Sequence, residues 1–190
     1  MAGGSLRVVA GELRGRRIQA PPGRGTRPTA DRVREAIFAL VGPVAGLDVL
    51  DLFAGSGALA IEALSRGASS ATLVERDPRA RAVIRRNLEA LELTSRARLV
   101  GGDWRAALAR ERAAGRCYGL CLVDPPYSLL PRIAGDLGRL LRPVLAPGAA
   151  VVVERAARTP PPELAELPIL SSIDRTYGDT AVTVLRLREA

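Results

Sequence analysis

The stretch Asp51-Leu52-Phe53-Ala54-Gly55-Ser56-Gly57 constrains this chain more than any other. It follows the run Leu47 to Leu50 and precedes a helical pattern, so it reads as a turn from a strand into a helix. Gly55 and Gly57 let the backbone turn sharply and approach a ligand closely. Asp51 puts a carboxylate at the carboxyl end of the strand, where open α/β sheets bind ligands. Asp124-Pro125-Pro126-Tyr127 has the same setting, since it follows Leu120-Cys121-Leu122-Val123 and forms a short rigid turn with an acid and an aromatic. Side by side, two such turns set a cofactor site next to a site for a planar substrate.

From Leu47 onward the pattern alternates. Strands are predicted near 47–52, 70–75, 97–101, 118–123 and 149–154, and helices near 57–66, 78–91, 104–114 and 129–141. The strands are continuous apolar runs, as in a parallel sheet covered on both faces. Gly67 suits a left-handed helix end, and Asp77-Pro78 a cap with proline in the first helical position. Thr159-Pro160-Pro161-Pro162 reads as a loop. Ile169 to Tyr177 and Thr180 to Arg188 form a predicted hairpin around Gly178-Asp179, closing a parallel sheet with an antiparallel end. The expected class is α/β, doubly wound and mostly parallel.

Ahead of this unit, Leu6 to Ala10 and Leu13 to Gln19 read as a short hairpin around Gly11 with an arginine-rich outer face. Pro21-Pro22-Gly23-Arg24-Gly25 is a linker or loop. Arg27-Pro28-Thr29-Ala30-Asp31 opens a helix, with Thr29 as N-cap and Asp31 in the first turn. Its apolar stripe is Val33, Ile37, Leu40 and Val41, with Arg32, Arg34 and Glu35 facing elsewhere. The organisation expected is a basic arm over 1–26 and a main domain over 27–190.

The charge pattern supports a separate role for the arm. The chain is 190 residues long with net charge +8, and every basic residue is an arginine. A GC-rich genome accounts for the lack of lysine but not for the distribution. Residues 1–34 carry eight arginines against Glu12 and Asp31, a net +6 that leaves only +2 for the rest. That asymmetry points to a polyanion, nucleic acid first, with edge-strand protection as the plainer alternative. The candidate contacts are Arg7, Arg14, Arg16, Arg17, Arg24, Arg27 and Arg32. No apolar run approaches about 18 residues and no signal-peptide pattern is present, so a soluble, cytoplasmic protein is expected; a monomer is the expected state, although no residue pattern fixes it. Cys117 and Cys121 lie about 13 Å apart along one strand, too far for a disulfide. Histidine is absent, which removes the commonest zinc ligand and general base, and no metal is expected.

Gly55 to Ala60 also fits the dinucleotide pattern G-x-G-x-x-A. Asp51 would set an anion against a pyrophosphate, however, and no histidine is available for hydride chemistry. S-adenosylmethionine bears a sulfonium and an ammonium but no phosphate, and a glycine turn with an acid suits it better. Glu75 ends the second strand, where a carboxylate can hold ribose hydroxyls. Asp103 can accept from an adenine amino group or simply cap a helix, and Asp77 reads as a cap. The Asp124 turn is the more specific signal. An exocyclic base amine is a poor nucleophile because its lone pair is delocalised. Accepting its two hydrogens on the Asp124 carboxylate and the Pro125 carbonyl favours the pyramidal form and stabilises the developing positive charge. Pro125 and Pro126 hold those acceptors rigid, and Tyr127 offers a ring for stacking.

Taken together, these motifs resemble a class I S-adenosylmethionine-dependent methyltransferase with the amino-methylating Asp-Pro-Pro-Tyr motif. More narrowly, the chain resembles the bacterial small-subunit ribosomal RNA guanine-N2 methyltransferase family, RsmD. The resemblance rests on Arg7-Val8-Val9-Ala10-Gly11, Arg14-Gly15-Arg16 and Arg27-Pro28-Thr29-Ala30-Asp31-Arg32-Val33-Arg34-Glu35. It continues through the Asp51 turn, Glu62-Ala63-Leu64-Ser65-Arg66-Gly67, Glu75, Asn87-Leu88 and the Asp124 turn. It implies a seven-stranded Rossmann-like sheet, a small N-terminal hairpin that helps hold RNA, and methylation of one guanine amino group in 16S rRNA. The implied substrate is that RNA within the small subunit or its assembly intermediate. The candidate cofactor set is Thr29, Asp51, Phe53, Ala54, Gly55, Ser56, Gly57, Glu75, Arg76, Asp103, Trp104 and Asp124. The catalytic set is Asp124, Pro125, Pro126 and Tyr127. The residues alone leave guanine and adenine-N6 both open. They also leave open a non-catalytic RNA-binding assembly factor on the same fold.

Overall fold

A computed structural model describes residues 4–21 and 28–189, and within the first helix the side chains from Asp31 onward. Two short strands come first, β1 (Ser5–Arg7) and β2 (Arg17–Gln19), paired antiparallel. The main unit then alternates: α1 (Pro28–Val41), β3 (Asp48–Leu52), α2 (Ala58–Ser65), β4 (Ser70–Glu75), α3 (Pro78–Ala90), β5 (Ala97–Gly101), α4 (Trp104–Ala113), β6 (Tyr118–Val123), α5 (Leu130–Leu141) and β7 (Leu145–Ala156). The hairpin β8 (Ile169–Tyr177) and β9 (Thr180–Leu187) closes it. Seven strands form one sheet in the order β5-β4-β3-β6-β7-β9-β8. The first five pair parallel, while β9 runs antiparallel between β7 and β8.

Side chains alternate across a strand, so the apolar runs feed two cores. Val49, Leu73, Leu120 and Leu122 pack with Ile37 and Phe38 of α1, Ile61 and Leu64 of α2 and Ile84 of α3. Leu50, Leu52, Cys121 and Val123 pack on the other face with Leu108 of α4 and Ile133 and Leu137 of α5. The sheet is therefore covered on both sides, as its apolar runs require. Asp77 caps α3 by accepting from the Arg79 N–H at 2.8 Å, with Pro78 in the first position. Among the described residues, no helix is long and apolar enough to cross a membrane.

The hairpin strands are shorter than the sequence suggests, because buried acceptors on α2 compete for their backbone. The Glu62 carboxylate accepts from the Val9 and Ala10 N–H groups at 2.8 and 3.0 Å. Ser65 Oγ accepts from Leu13 N–H at 3.0 Å, and its carbonyl from Glu12 N–H at 2.8 Å. Gly11 makes this approach possible, since at its φ of 84° a Cβ would lie 1.8 Å from the Ser65 carbonyl oxygen. Val8 and Ile18 are buried in the same core as the α2 residues.

Two expectations for α1 need correction. Arg34 does not face away; it is 4% exposed and donates to Glu62, to Asp31 and to the Arg7 carbonyl. Glu62 is fully buried and requires compensating charge, which Arg34 and Arg66 supply at 3.3 and 2.8 Å. Arg32 and Glu35 are exposed as expected. The helix also begins at Pro28, which sets Thr29 inside its first turn rather than at the cap. The linker around Arg24, and Arg27, lie outside the described residues.

Glu62 is thus the hub between arm and sheet. Glu62→Ala leaves Arg66 without its carboxylate, Arg34 with the Asp31 carboxylate alone, and two backbone N–H groups without an acceptor. It should cost about 3–5 kcal/mol, read as a lowered denaturant midpoint. Amide exchange at Val9 and Ala10 should accelerate first, and an unchanged midpoint would show the network to be dispensable.

Candidate active site

The site forms where β4, β3 and β6 end together. Leu52 is in register with Val74 on one side and Val123 on the other. Beyond the strands, Ala54 N–H donates to the Val74 carbonyl at 3.0 Å and Asp124 N–H to the Leu52 carbonyl at 3.4 Å. Asp51, Glu75 and Asp124 lie two residues beyond Val49, Leu73 and Leu122, so all three acids belong to the α1–α3 side of the sheet.

The turn after β3 is held in an unusual conformation. Phe53, a non-glycine residue, has φ of 66°, a strained value of the kind that clusters at ligand sites. Its ring stands 6.2 Å from that of Trp104, which is buried and lies under the Arg105 guanidinium. Gly57 has φ of 79°, and a Cβ there would come within 3.0 Å of Leu73. Glu75 Oε2 accepts from Gly55 N–H and Oε1 from Asp77 N–H, both at 2.8 Å. The carboxylate expected to face a ribose therefore also fixes the glycine turn and the next loop. On the other side of the turn, Asn87 Nδ2 donates to the Ser56 carbonyl at 2.9 Å.

Asp51 is 1% exposed. Its Oδ2 accepts from Ala60 N–H at 3.2 Å, satisfying one of the open donors at the start of α2. Its Oδ1 is buried and has no partner among the described residues. Burial holds the Asp51 carboxyl well above the usual carboxylate range; the Asp124 charge adds to this, the Ala60 N–H opposes it, and Glu75 adds again. A buried oxygen that is open and surrounded by other acids fits a ligand bearing cationic or hydroxyl donors, and disfavours a phosphate.

Asp124 is half-buried, Pro125 buried, and Pro126 and Tyr127 exposed. Leu129 N–H donates to the Pro126 carbonyl at 2.8 Å and closes this turn. Tyr127 is 42% exposed, and its hydroxyl lies 3.0 Å from Thr180 Oγ1 on β9. The ring is thus presented to solvent and anchored at its tip by the C-terminal hairpin.

The remaining candidates fall at the margin. Asp103 caps α4, accepting from Arg105 N–H at 2.9 Å, and Arg76 is exposed beyond β4. Thr29 lies on α1, its side chain outside the described set. Of the basic candidates, Arg7, Arg14, Arg16, Arg17 and Arg32 are exposed, and Arg16 donates to the Ala90 carbonyl at the end of α3. The residues that brace the turns, Asn87 and Thr180, carry no role in the sequence pattern. Asn87 figures there only in the Asn87-Leu88 segment of the resemblance, with no role attached.

Asp51→Asn keeps an acceptor for Ala60 and removes a buried charge beside two other acids. The ligand-free variant should melt about 2–4 °C higher, equivalent to ~1 kcal/mol. The sign follows from linkage: a carboxyl raised in the folded state is penalised once it ionises, so the gap opens as pH rises above its unfolded value. Melting curves across pH that show no gap, or a lower midpoint for the variant, would contradict this account of Asp51.

The sequence model of the family described as Conserved hypothetical protein 95 matches residues 6–186. The chain is 45% identical over 125 residues to YlbH of Bacillus subtilis, covering 64% of this chain and 67% of that one. It is 42% identical over 125 residues to ribosomal RNA small subunit methyltransferase D of Escherichia coli, covering 65% of this chain and 61% of that relative's length. The solved structure of Escherichia coli yhhF superposes with a TM-score of 0.82 at 33% identity, over 98% of this chain and 100% of that one. With its sheet order, its two acid-bearing turns and this match over nearly its whole length, the chain belongs to the Conserved hypothetical protein 95 family, that of the RsmD proteins.

Proposed function

We propose that this protein transfers the methyl group of S-adenosylmethionine to the exocyclic N2 amino group of a guanine in 16S ribosomal RNA. The substrate would be met within the small subunit or its assembly intermediate. One observation carries the reading: Asp124 is hydrogen-bonded through its backbone to the end of β3, beside the open buried oxygen of Asp51 and next to an exposed aromatic ring. The relative named ribosomal RNA small subunit methyltransferase D supports the choice of RNA.

Bound at the glycine turn, S-adenosylmethionine supplies an electrophilic methyl group. Asp51 would offer its open oxygen to the ligand's donors, and the turn from Phe53 to Gly57 would hold the ligand. Glu75 keeps Gly55 in place and would accept from the ribose hydroxyls with its remaining lone pairs. Trp104 braces Phe53, and Thr29, Arg76 and Asp103 would complete the cofactor set. On the substrate side, Tyr127 stacks on the base, and Asp124 and the Pro125 carbonyl each accept one amine hydrogen. These acceptors strengthen as the nitrogen becomes cationic, so they act mainly in the transition state. The arm over residues 1–26 holds RNA through Arg7, Arg14, Arg16, Arg17 and Arg24, with Arg27 and Arg32 extending it.

Single-turnover methylation of small-subunit particles, with mass mapping of the product, tests the chemistry and distinguishes guanine from adenine. Asp124→Ala should lower the rate of methyl transfer by about 10²–10³. Tyr127→Ala should weaken capture of the base by about 1–3 kcal/mol. Tyr127→Phe loses the exposed hydrogen bond to Thr180 and should cost less than about 1 kcal/mol. An Asp124→Ala enzyme with the wild-type rate would exclude this mechanism.

The arm is best tested by substitution, since deletion would also remove the buried Val8 and Ile18. Replacing Arg7, Arg14 and Arg17 by glutamine should weaken RNA binding and flatten the slope of log K against log salt by about 2–3. Cofactor affinity measured without RNA should stay constant. An unchanged salt slope would mark these arginines as edge protection.

A further inference from the structure

Asn87 takes no part in the chemistry above, yet it occupies a costly position. It lies on the buried stripe of α3 with Val83, Ile84 and Leu88 and is 3% exposed. Burying an amide there is unfavourable unless its hydrogen bonds are made. They are made to two separate segments. Oδ1 accepts from Gln19 N–H at 2.8 Å, and Nδ2 donates to the Gln19 carbonyl and to the Ser56 carbonyl, both at 2.9 Å. Gln19 ends β2 of the arm, and Ser56 stands between the two glycines of the cofactor turn.

Both segments have conformations that depend on outside support. A two-stranded ribbon with three residues per strand is not stable alone. Its loop is held by Glu62 and Ser65, whereas the β2 end is held by Asn87. The glycine turn is held at Gly55 by Glu75 and at Ser56 by Asn87. One rigid side chain therefore bridges the element read above as gripping RNA and the turn read above as gripping cofactor.

We propose that Asn87 is a positioning residue that couples the two ligands, an inference that rests on the function just proposed. Cofactor ordering the turn fixes the Ser56 carbonyl, which fixes the Asn87 amide, which fixes the end of β2. The arm then meets RNA already ordered. Linkage makes the effect reciprocal, so RNA held by the arm tightens the cofactor by the same factor.

Amide hydrogen exchange with and without S-adenosylhomocysteine tests this in the absence of RNA. The reporters are Val8 and Ala20, whose N–H groups bond to the Arg16 and Gly4 carbonyls and not to Asn87. In the wild-type protein, saturating ligand should slow their exchange by roughly fivefold or more. In Asn87→Ala the turn should remain protected by ligand while the response at Val8 and Ala20 vanishes. Asn87→Asp keeps the acceptor for Gln19 and loses both donors, so it gives the same result and decides the matter if the alanine variant fails to fold. A merely structural Asn87 would instead speed exchange in both states and leave their ratio intact. That ratio persisting in both variants, or a wild-type hairpin indifferent to ligand, overturns the coupling. Because no RNA is present, such a failure leaves the RNA reading standing.

Discussion

Strand β3 is hydrogen-bonded along both edges, to β4 and to β6, and the candidate site depends on that double pairing. Parallel ladders fix the heights at which three strands stop, so Glu75 and Asp124 arrive at one level, two residues beyond Asp51 on the same face. The ladder is carried one step further on each side, by Ala54 to Val74 and by Asp124 to Leu52. Both turns thereby start from a fixed backbone. Strain at Phe53 persists because these bonds, the Glu75 carboxylate and packing against Trp104 over-determine its position.

The same geometry makes the site electrostatically tense. Asp51 is buried beside two acids, with only one of its oxygens hydrogen-bonded. Burial disfavours the charged form, so its proton affinity rises. A ligand bringing positive charge or hydroxyl donors removes the penalty, which makes the ligand-free arrangement the less comfortable one. Cys121 lies close enough to register this: burial, and then the Asp51 charge, push its thiol up.

A second buried acid does different work. A leucine at position 62 would fill the α2 core as well as glutamate does, and buried ion pairs are seldom more stable than apolar replacements. It would leave Val9, Ala10 and Arg66 without their acceptor and Arg34 with only Asp31 and the Arg7 carbonyl. Glu62 thus gives a marginal hairpin one location. It also divides the arginines of the first 34 residues by role. Arg34 neutralises Glu62, and Arg16 meets the carbonyl end of α3, a favourable place for a cation. Arg7, Arg14, Arg17 and Arg32 are exposed and make no ion pair among the described residues.

The sequence by itself determined the alternation of apolar runs and helices, the two acid-bearing turns and the antiparallel end, because these are local patterns with fixed periods. The caps at Asp77 and Asp103 were legible for the same reason, each depending on a donor two residues away. The tertiary structure decided what no local pattern contains. Arg34 resembles Arg32 in sequence, and only the depth of Glu62 draws it inward. The hairpin strands shortened because acceptors more than fifty residues away took their N–H groups, as with Val9 and Glu62 at a separation of 53. Asp51 was marked by position, but its open oxygen follows from how β3 meets α2, β4 and β6. Asn87 and Thr180 brace the two turns from other elements, and their effect exists only once the chain has brought those elements together.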